Sequence, residues 1–298
     1  MVSQRDSAKE EKTFKVKWIY ESLGISKQAY YQRLKASKAK DEIGDMVTQW
    51  VIQIRQRQKR AGGKKLHKML QGRLKEHGVK MGRDKLFDLL RSRGLLVRRT
   101  KRFHVTTESK HHFYKSPNRI KELDITYAEQ VLVSDITYIR TDQGHAYLAL
   151  VTDAYSKKLM GYALENHMRV ELVKEALEMA NGNRMHSTES VIHHSDRGLQ
   201  YCCPDYSEFA EGMGFVLSTT QQYDPYENAI AERINGILKY EFGLNETLPS
   251  LKVAKTMIAE AAEIYNNERL HWSLNLKTPS SVHDKFDKDE YKSYKKRA

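Results

Sequence analysis

Three acidic residues stand where acids are awkward unless they serve a purpose. Asp135 interrupts the apolar run VLVSDITYI, Asp196 ends the apolar segment VIHHSD, and Glu232 lies within ENAIAERINGILKYE. A carboxylate inside a strand is disfavoured by propensity, and burying one costs several kcal/mol unless a cation or hydrogen bonds compensate. A divalent ion supplies that compensation. Mg2+ takes hard oxygen ligands, usually a few carboxylates with water and substrate phosphate, and two such ions about 3.5 to 4 Å apart can flank an in-line displacement at phosphorus. Two strand ends and a helix suit that arrangement, although a chain with 38 Asp and Glu offers many other trios.

The neighbouring reactive types read differently. Asp153, in VTDAYSKK, reads as a structural residue at a strand end. His193 and His194 are adjacent in a strand, so their side chains point to opposite faces, and packing or support of Asp196 is the expected role of both. Cys202 and Cys203 are the chain's only cysteines and are neighbours, which excludes a disulfide framework and a four-thiolate zinc site and points to inert packing in a reducing compartment.

The elements that would position the acids begin at Tyr127. VLVSDITYIRT, HAYLALVTDAYS and KKLMGYALE read as three antiparallel strands, with a turn at Gln143-Gly144. The pattern then predicts a helix over 171–181, a strand over 191–194, a helix over 204–212, the strand FVLSTT, helices over 228–242 and 253–268, and an extended closing segment NNERLHWSLNLKTPSSVHDKF. Strands followed by alternating helices and strands imply an α/β sandwich around a mixed sheet.

The front of the chain is all helical. A helix from Thr13 carries Phe14, Trp18, Ile19 and Leu23, Gly24 breaks it, and Ser26 is the candidate N-cap of a second helix, SKQAYYQRLK. That second helix interleaves Lys27, Gln28 and Arg33 with Tyr30 and Tyr31, side chains able to touch phosphates and base edges. A separate amphipathic helix over 41–59 follows, around Trp50. Past Gly62-Gly63, two short helices form a second helix-turn-helix candidate, with Lys64, Lys65, Lys68, Arg83 and Lys85 facing nucleic acid and leucines facing inward. Arg98, Arg99, Lys101 and Arg102 open a basic linker that also suits nucleic acid.

Charge divides the chain at the same place. Residues 1–120 hold 31 Lys and Arg against 11 Asp and Glu, and residues 121–298 hold 20 against 27, so the halves carry +20 and −7. Clustered Lys and Arg gain by releasing phosphate counterions, which makes a polyanion the expected partner of the front half. No apolar run approaches 18 residues and MVSQRDSAKEEKTFKVK lacks an apolar core, so neither a spanning helix nor a secretory signal is expected, and no membrane partner.

The segments SDITYIRT with GHAYLALVTDAYSKKLMGYAL, then HHSDRGLQY, YENAIAERINGILKYE and YNNERLHWSLNLKTPSSV, resemble in order the insertion-sequence transposases of the family named after insertion sequence three, whose core is similar to retroviral integrase. The resemblance covers residues 120 to 283, and GISKQAYYQRL with the second hairpin resembles the family's DNA-binding front end. It implies an RNase H-like catalytic core, a mixed five-stranded sheet flanked by helices, preceded by an all-α helix-turn-helix region. It carries the catalytic and metal-binding roles onto Asp135, Asp196 and Glu232, with 35 residues between the last two. It also implies two Mg2+ or Mn2+ ions, hydrolysis and strand transfer on double-stranded DNA, at the element's terminal inverted repeats and at a target. A homo-oligomer of at least two chains, an upstream-frame partner protein and a place in the bacterial cytoplasm beside the nucleoid follow in the same way. Asn228 and Lys239, on one face of the Glu232 helix, are then candidates to hold substrate phosphate.

The implied organisation is 1–60 helix-turn-helix region, 61–100 second DNA-binding region, 101–120 basic linker, 121–283 catalytic core and 284–298 charged tail. Glu227 stands where the family usually has Asp, and Leu132 replaces an aromatic often found in the first strand. Both changes lie off the acids. The histidine-cysteine zinc module that precedes retroviral integrase cores has no counterpart, since no cysteine precedes Cys202. A DNA-binding regulator with an inactive nuclease-like unit, and a ribonuclease acting on RNA–DNA hybrids, stand as alternatives from other functional classes.

Overall fold

A computed structural model of the chain describes residues 16–97, 113–186, 190–221 and 228–285. Phe14, the basic stretch with Arg98, Arg99, Lys101 and Arg102, Glu227 and most of the charged tail lie outside the described residues.

The sheet has the strand order β3-β2-β1-β4-β5, from β1 (Val131–Thr141), β2 (Gly144–Asp153), β3 (Leu159–Glu165), β4 (Val191–Ser195) and β5 (Phe215–Thr219). The first three strands form an antiparallel meander, as their alternating Val, Ile, Leu and Tyr content predicts, while β4 and β5 add in parallel to β1. One face carries α5 (Val170–Gly182) and α7 (Pro204–Gly212), packed on Leu132, Val151, Met160 and Ala163. The other carries α8 (Ala229–Phe242) and α9 (Leu251–Asn267), packed on Ile139, Leu148, Leu150 and Leu164. A short α6 (Leu199–Cys202) joins β4 to α7. A mixed five-stranded sheet flanked by helices is the RNase H-like architecture that the resemblance implies.

One glycine decides how closely α5 meets the sheet. A Cβ on Gly161 would lie 2.1 Å from the carbonyl oxygen of Ala176 and 2.6 Å from the amide nitrogen of Ala180, so no larger residue fits that crossing. The outer edge of β5 is covered by the segment entering the core. Thr219 Oγ1 donates to the Ser116 carbonyl at 2.7 Å and the Arg119 amide donates to Ser218 Oγ at 2.9 Å, which blunts an edge that would otherwise invite pairing.

The front half contains α1 (Val16–Ser22), α2 (Lys27–Arg57), α3 (Gly63–Glu76) and α4 (Arg83–Ser92). Ser26 caps α2 as expected, its hydroxyl accepting from the Ala29 amide at 3.1 Å. The two helices expected over 26–39 and 41–59 are instead one continuous helix of 31 residues. No proline interrupts the join, and the missing side chain of Gly44 admits Leu89 of α4, which a Cβ would approach to 3.3 Å. The C-terminal half of α2 closes a small core with α3 and α4 through Val47, Val51, Leu66, Leu70, Leu86 and Leu90. The first turns of α2 and all of α1 have no buried residue.

Two further expectations are corrected at strand and chain ends. The second strand stops at Asp153 rather than running to Ser156, because the Asp153 carboxylate accepts from the Ser156 amide and hydroxyl, both at 2.6 Å, and folds the chain into a turn. The closing segment is not simply extended. His271 bridges Lys277 around a 3-10 turn over Trp272–Leu274, and a short α10 (Pro279–His283) follows, capped by Thr278 with Pro279 in its first turn.

The helical front is joined to the core by charge. The Arg57 guanidinium donates two bonds to the Glu268 carboxylate at 2.6 and 3.1 Å. Lys65 lies 3.8 Å from the Glu241 carboxylate, which also accepts two bonds from Arg269. The Lys64 ammonium sits over the Trp272 ring, 5.3 Å from its centroid.

Candidate active site

The parallel pairing of β1 and β4 aligns Ser134 with Ser195, so Asp135 and Asp196 each follow the last matched pair on neighbouring strands. Asp196 lies just past β4, where the Gly198 amide donates to its Oδ1 at 2.9 Å and sets the carboxyl's direction. Glu232 occupies the first turn of α8, where the helix dipole favours a negative charge. Helix α8 reaches β1 through two amides: Asn228 Nδ2 donates to the Ser134 carbonyl at 3.0 Å, and Asn235 Nδ2 donates to Asp135 Oδ2 at 2.6 Å.

The electrostatics show the three acids acting on one another. Burial pushes the Asp135 carboxyl up to about 8, the negative charges of Asp196 and Glu232 push in the same direction, and the bond from Asn235 opposes them. The donor set is carboxylate oxygen, the hard ligand type that a divalent cation such as Mg2+ takes. Among the described residues, the carboxylate oxygens of Asp135, Asp196 and Glu232 do not all come within 4.8 Å of one another. Lys239, two turns along α8 from Glu232, places its ammonium 4.2 Å from the Tyr138 ring centroid; burial lowers its proton affinity and the charge of Asp135 raises it.

The histidines next to Asp196 serve the strand. His193 is buried, its Nε2 2.7 Å from Ser134 Oγ and 3.3 Å from the Tyr206 hydroxyl, and burial with the neighbouring His194 lowers it to about 3, so it is neutral. His194 Nδ1 lies 2.8 Å from Ser218 Oγ. Burial and the Asp196 charge raise the Cys202 thiol to about 11, leaving it unreactive near neutral pH.

The residues expected to face nucleic acid divide into three groups. Lys27, Gln28, Tyr31, Arg33, Lys64, Lys68, Arg83 and Lys85 are exposed, with Arg83 paired to Asp84 at 2.8 Å, and Tyr30 is half-buried against Tyr20 and Tyr31. Two are corrected. Lys65 is only 9% exposed and faces Glu241, so it joins two parts of the fold instead of meeting phosphate. Asn228 is 5% exposed and braces the Ser134 carbonyl, which removes its amide from substrate. The third group, Arg98, Arg99, Lys101 and Arg102, falls outside the described residues. Asn235 is the contact that sequence reasoning did not assign, although its three-residue step from Glu232 placed it on the same helix face.

The integrase core domain family matches residues 117–225, and a second integrase core domain family matches residues 213–279, together more than half of the chain. The insertion element IS600 uncharacterized 31 kDa protein of Shigella sonnei is 32% identical over 89% of this chain and 97% of its own length. The putative transposase for insertion sequence element IS986/IS6110 of Mycobacterium tuberculosis is 34% identical over 47% of this chain, which spans about half of that relative's length (52%). Transposase InsF for insertion sequence IS3A of Escherichia coli is 31% identical over 61% of this chain and 64% of its own length. Among solved structures, the simian T-cell lymphotropic virus intasome superposes with a TM-score of 0.48 at 17% identity, covering 79% of each chain. The HTLV-2 integrase catalytic core domain in complex with magnesium superposes at 0.43 and 17% identity, covering 53% of this chain and 97% of that one.

Proposed function

Because the chain belongs to the insertion-sequence transposases of the family named after insertion sequence three, built on an integrase core, we propose that it cuts and joins DNA at its element's terminal inverted repeats through Asp135, Asp196 and Glu232. The observation that carries the assignment is the elevated proton affinity of Asp135, raised by burial and then by the charges of Asp196 and Glu232, with Asn235 Nδ2 donating to its Oδ2 at 2.6 Å. Two divalent ions, Mg2+ or Mn2+, held by the three acids would lower the pKa of the attacking oxygen and offset charge on the leaving oxygen.

The chain's own residues position these groups. Asn235 turns Asp135 towards α8, the Gly198 amide orients Asp196, and Glu232 sits in the first turn of α8, where the helix dipole favours negative charge. In the first reaction a water oxygen bonds to phosphorus at the element's end as the P–O3′ bond breaks, the departing oxygen taking up a proton to give a free 3′-hydroxyl and the other strand keeping the 5′-phosphate. In the second that hydroxyl attacks a target phosphodiester, making one bond to phosphorus and breaking another, with no protein-linked intermediate. Lys239 lies beside Asp135 where it can meet a phosphate oxygen. Lys27, Gln28, Tyr31 and Arg33 on α2, with Lys64, Lys68, Arg83 and Lys85 on α3 and α4, hold duplex DNA ahead of the core. The working form is an oligomer of at least two chains, since one site cannot act on both ends at once, assisted by an upstream-frame protein in the bacterial cytoplasm at the nucleoid.

The test is a Mg2+-dependent assay on labelled terminal-repeat DNA. Asp196→Asn is expected to reduce both cleavage and joining to background while end binding stays nearly unchanged. An Asp196→Asn protein that cuts at the parent rate would remove the acids from the chemistry.

A further inference from the structure

A second cluster of ligand-type side chains lies away from the acids, at the start of β1. Glu129 is fully buried two residues ahead of that strand and holds a left-handed backbone, φ 64°, which a non-glycine residue keeps only when its surroundings fix it. Its Oε1 accepts from the Met185 amide at 2.7 Å and lies 3.2 Å from His283 Nε2. Its Oε2 accepts from the His186 amide at 3.2 Å and the Arg184 guanidinium at 3.4 Å. One ligand atom each from Glu129, His186 and His283 lies within 4.8 Å of the others, the only such trio of His, Cys or carboxylate groups among the described residues.

We propose that Glu129, His186 and His283 form a metal site for Zn2+ or a similar borderline ion, separate from the three acids, that fastens the end of the fold to the sheet. Two imidazoles and one carboxylate are donors for zinc-type ions, whereas Mg2+ prefers oxygen alone. Metal-binding histidines characteristically give their other ring nitrogen to a carbonyl, hydroxyl or carboxylate. Both histidines here do so: His186 Nε2 lies 2.9 Å from the His283 carbonyl oxygen, and His283 Nδ1 lies 3.0 Å from Ser156 Oγ and 3.9 Å from Asp153. With those nitrogens engaged, Nδ1 of His186 and Nε2 of His283, the latter 3.2 Å from Glu129 Oε1, are the ring atoms left to ligate.

Asp153 extends the same support. Its carboxylate accepts from the Glu129 amide at 2.6 Å and holds Ser156, so the carboxylate behind His283 also fixes the backbone of Glu129. Access is open. A pocket of about 540 Å³, lined in part by Arg184, Met185 and Asp284, adjoins the sequence neighbours of His186 and His283. The three ligands come from the turn before β1, the segment after α5 and the end of α10, so one ion would cross-link segments as far apart in sequence as 129 and 283.

The test uses the full chain carrying Asp135→Asn and Asp196→Asn, which separates this site from the acids, and titrates it with Co2+ as the optical probe. One equivalent is expected to bind and develop the visible absorption of four-coordinate cobalt, with loss of both in His186→Gln and in His283→Gln. Zn2+ is expected to raise the melting temperature of the same protein by several degrees, and of His186→Gln not at all. Should His283→Gln fail to fold by circular dichroism, His186→Gln decides, because His186 is only half-buried. A folded protein that takes up no stoichiometric Co2+, or a His186→Gln protein that binds as the parent does, overturns the site without touching the DNA chemistry, which is measured on the acids separately.

Discussion

The bond from Asn235 to Asp135 is a single hydrogen bond whose loss should be readable in the pH dependence of the reaction. At 2.6 Å to a carboxylate it is charge-assisted, and it opposes the burial and neighbouring negative charges that drive the carboxyl towards its neutral form. Asn235→Ala therefore raises the proton affinity of Asp135 further, so the rising limb of activity against pH moves to higher pH. Activity at neutral pH is expected to fall about 10- to 100-fold, as when supports of metal ligands are removed. Cleavage rates measured from pH 6 to 9 at saturating Mg2+ check this, and an unshifted limb with a lowered plateau would reduce Asn235 to a packing residue. Asp135 and Asp196 drew notice because they interrupt or end apolar runs, and the family resemblance joined Glu232 to them, but the roles of the amides were not legible. Asn228 and Asn235 share a helix face with Glu232 and Lys239 in the sequence. Only the approach of α8 to β1 determines that one amide braces a carbonyl and the other a carboxylate.

Between elements, the contact of α3 with the core places a cation among cations. Lys65 faces Glu241, but Arg269 already holds that carboxylate with two bonds, and burial together with the Arg269 charge lowers Lys65 to about 8. The unfolded chain binds more protons at Lys65 than the folded one between about 8 and the ordinary value of 10.5, so the protein gains stability as pH rises through that window. Lys65→Met removes the buried charge and leaves the Arg269–Glu241 pair, and is expected to stabilise the protein at pH 7 by about 1 kcal/mol, a gain that shrinks towards pH 10. Melting temperatures across that range test it, and a variant less stable than the parent at pH 7 contradicts it. The same substitution should leave DNA binding intact, in contrast to the expectation from charge alone. The long α2 shows a related limit. Local periodicity suggested two helices, yet the helix runs through their join, and Gly44 just beyond it accommodates Leu89.

For the molecule as a whole, the division of charge makes DNA affinity a salt-dependent quantity. Each phosphate contact contributes about 0.9 to the slope of log affinity against log salt, so replacing the exposed Lys27 and Arg33 together with alanine should lower that slope by about 2 on terminal-repeat DNA. An unchanged slope would take the first turns of α2 out of the interface. The sequence by itself determined the alternation of strands and helices and the division of charge, and it offered the three acids as candidates that the family resemblance singled out. These depend on side-chain period, on composition and on a carboxylate's cost in apolar surroundings, all of which are properties of short segments. Tertiary structure alone decided what Lys65 and Asn228 face, how tightly α5 crosses Gly161, and that Glu129, His186 and His283 meet. Those outcomes are pairings between segments distant along the chain. No local pattern encodes them, because the partner that satisfies a charge or an amide is chosen when whole elements pack.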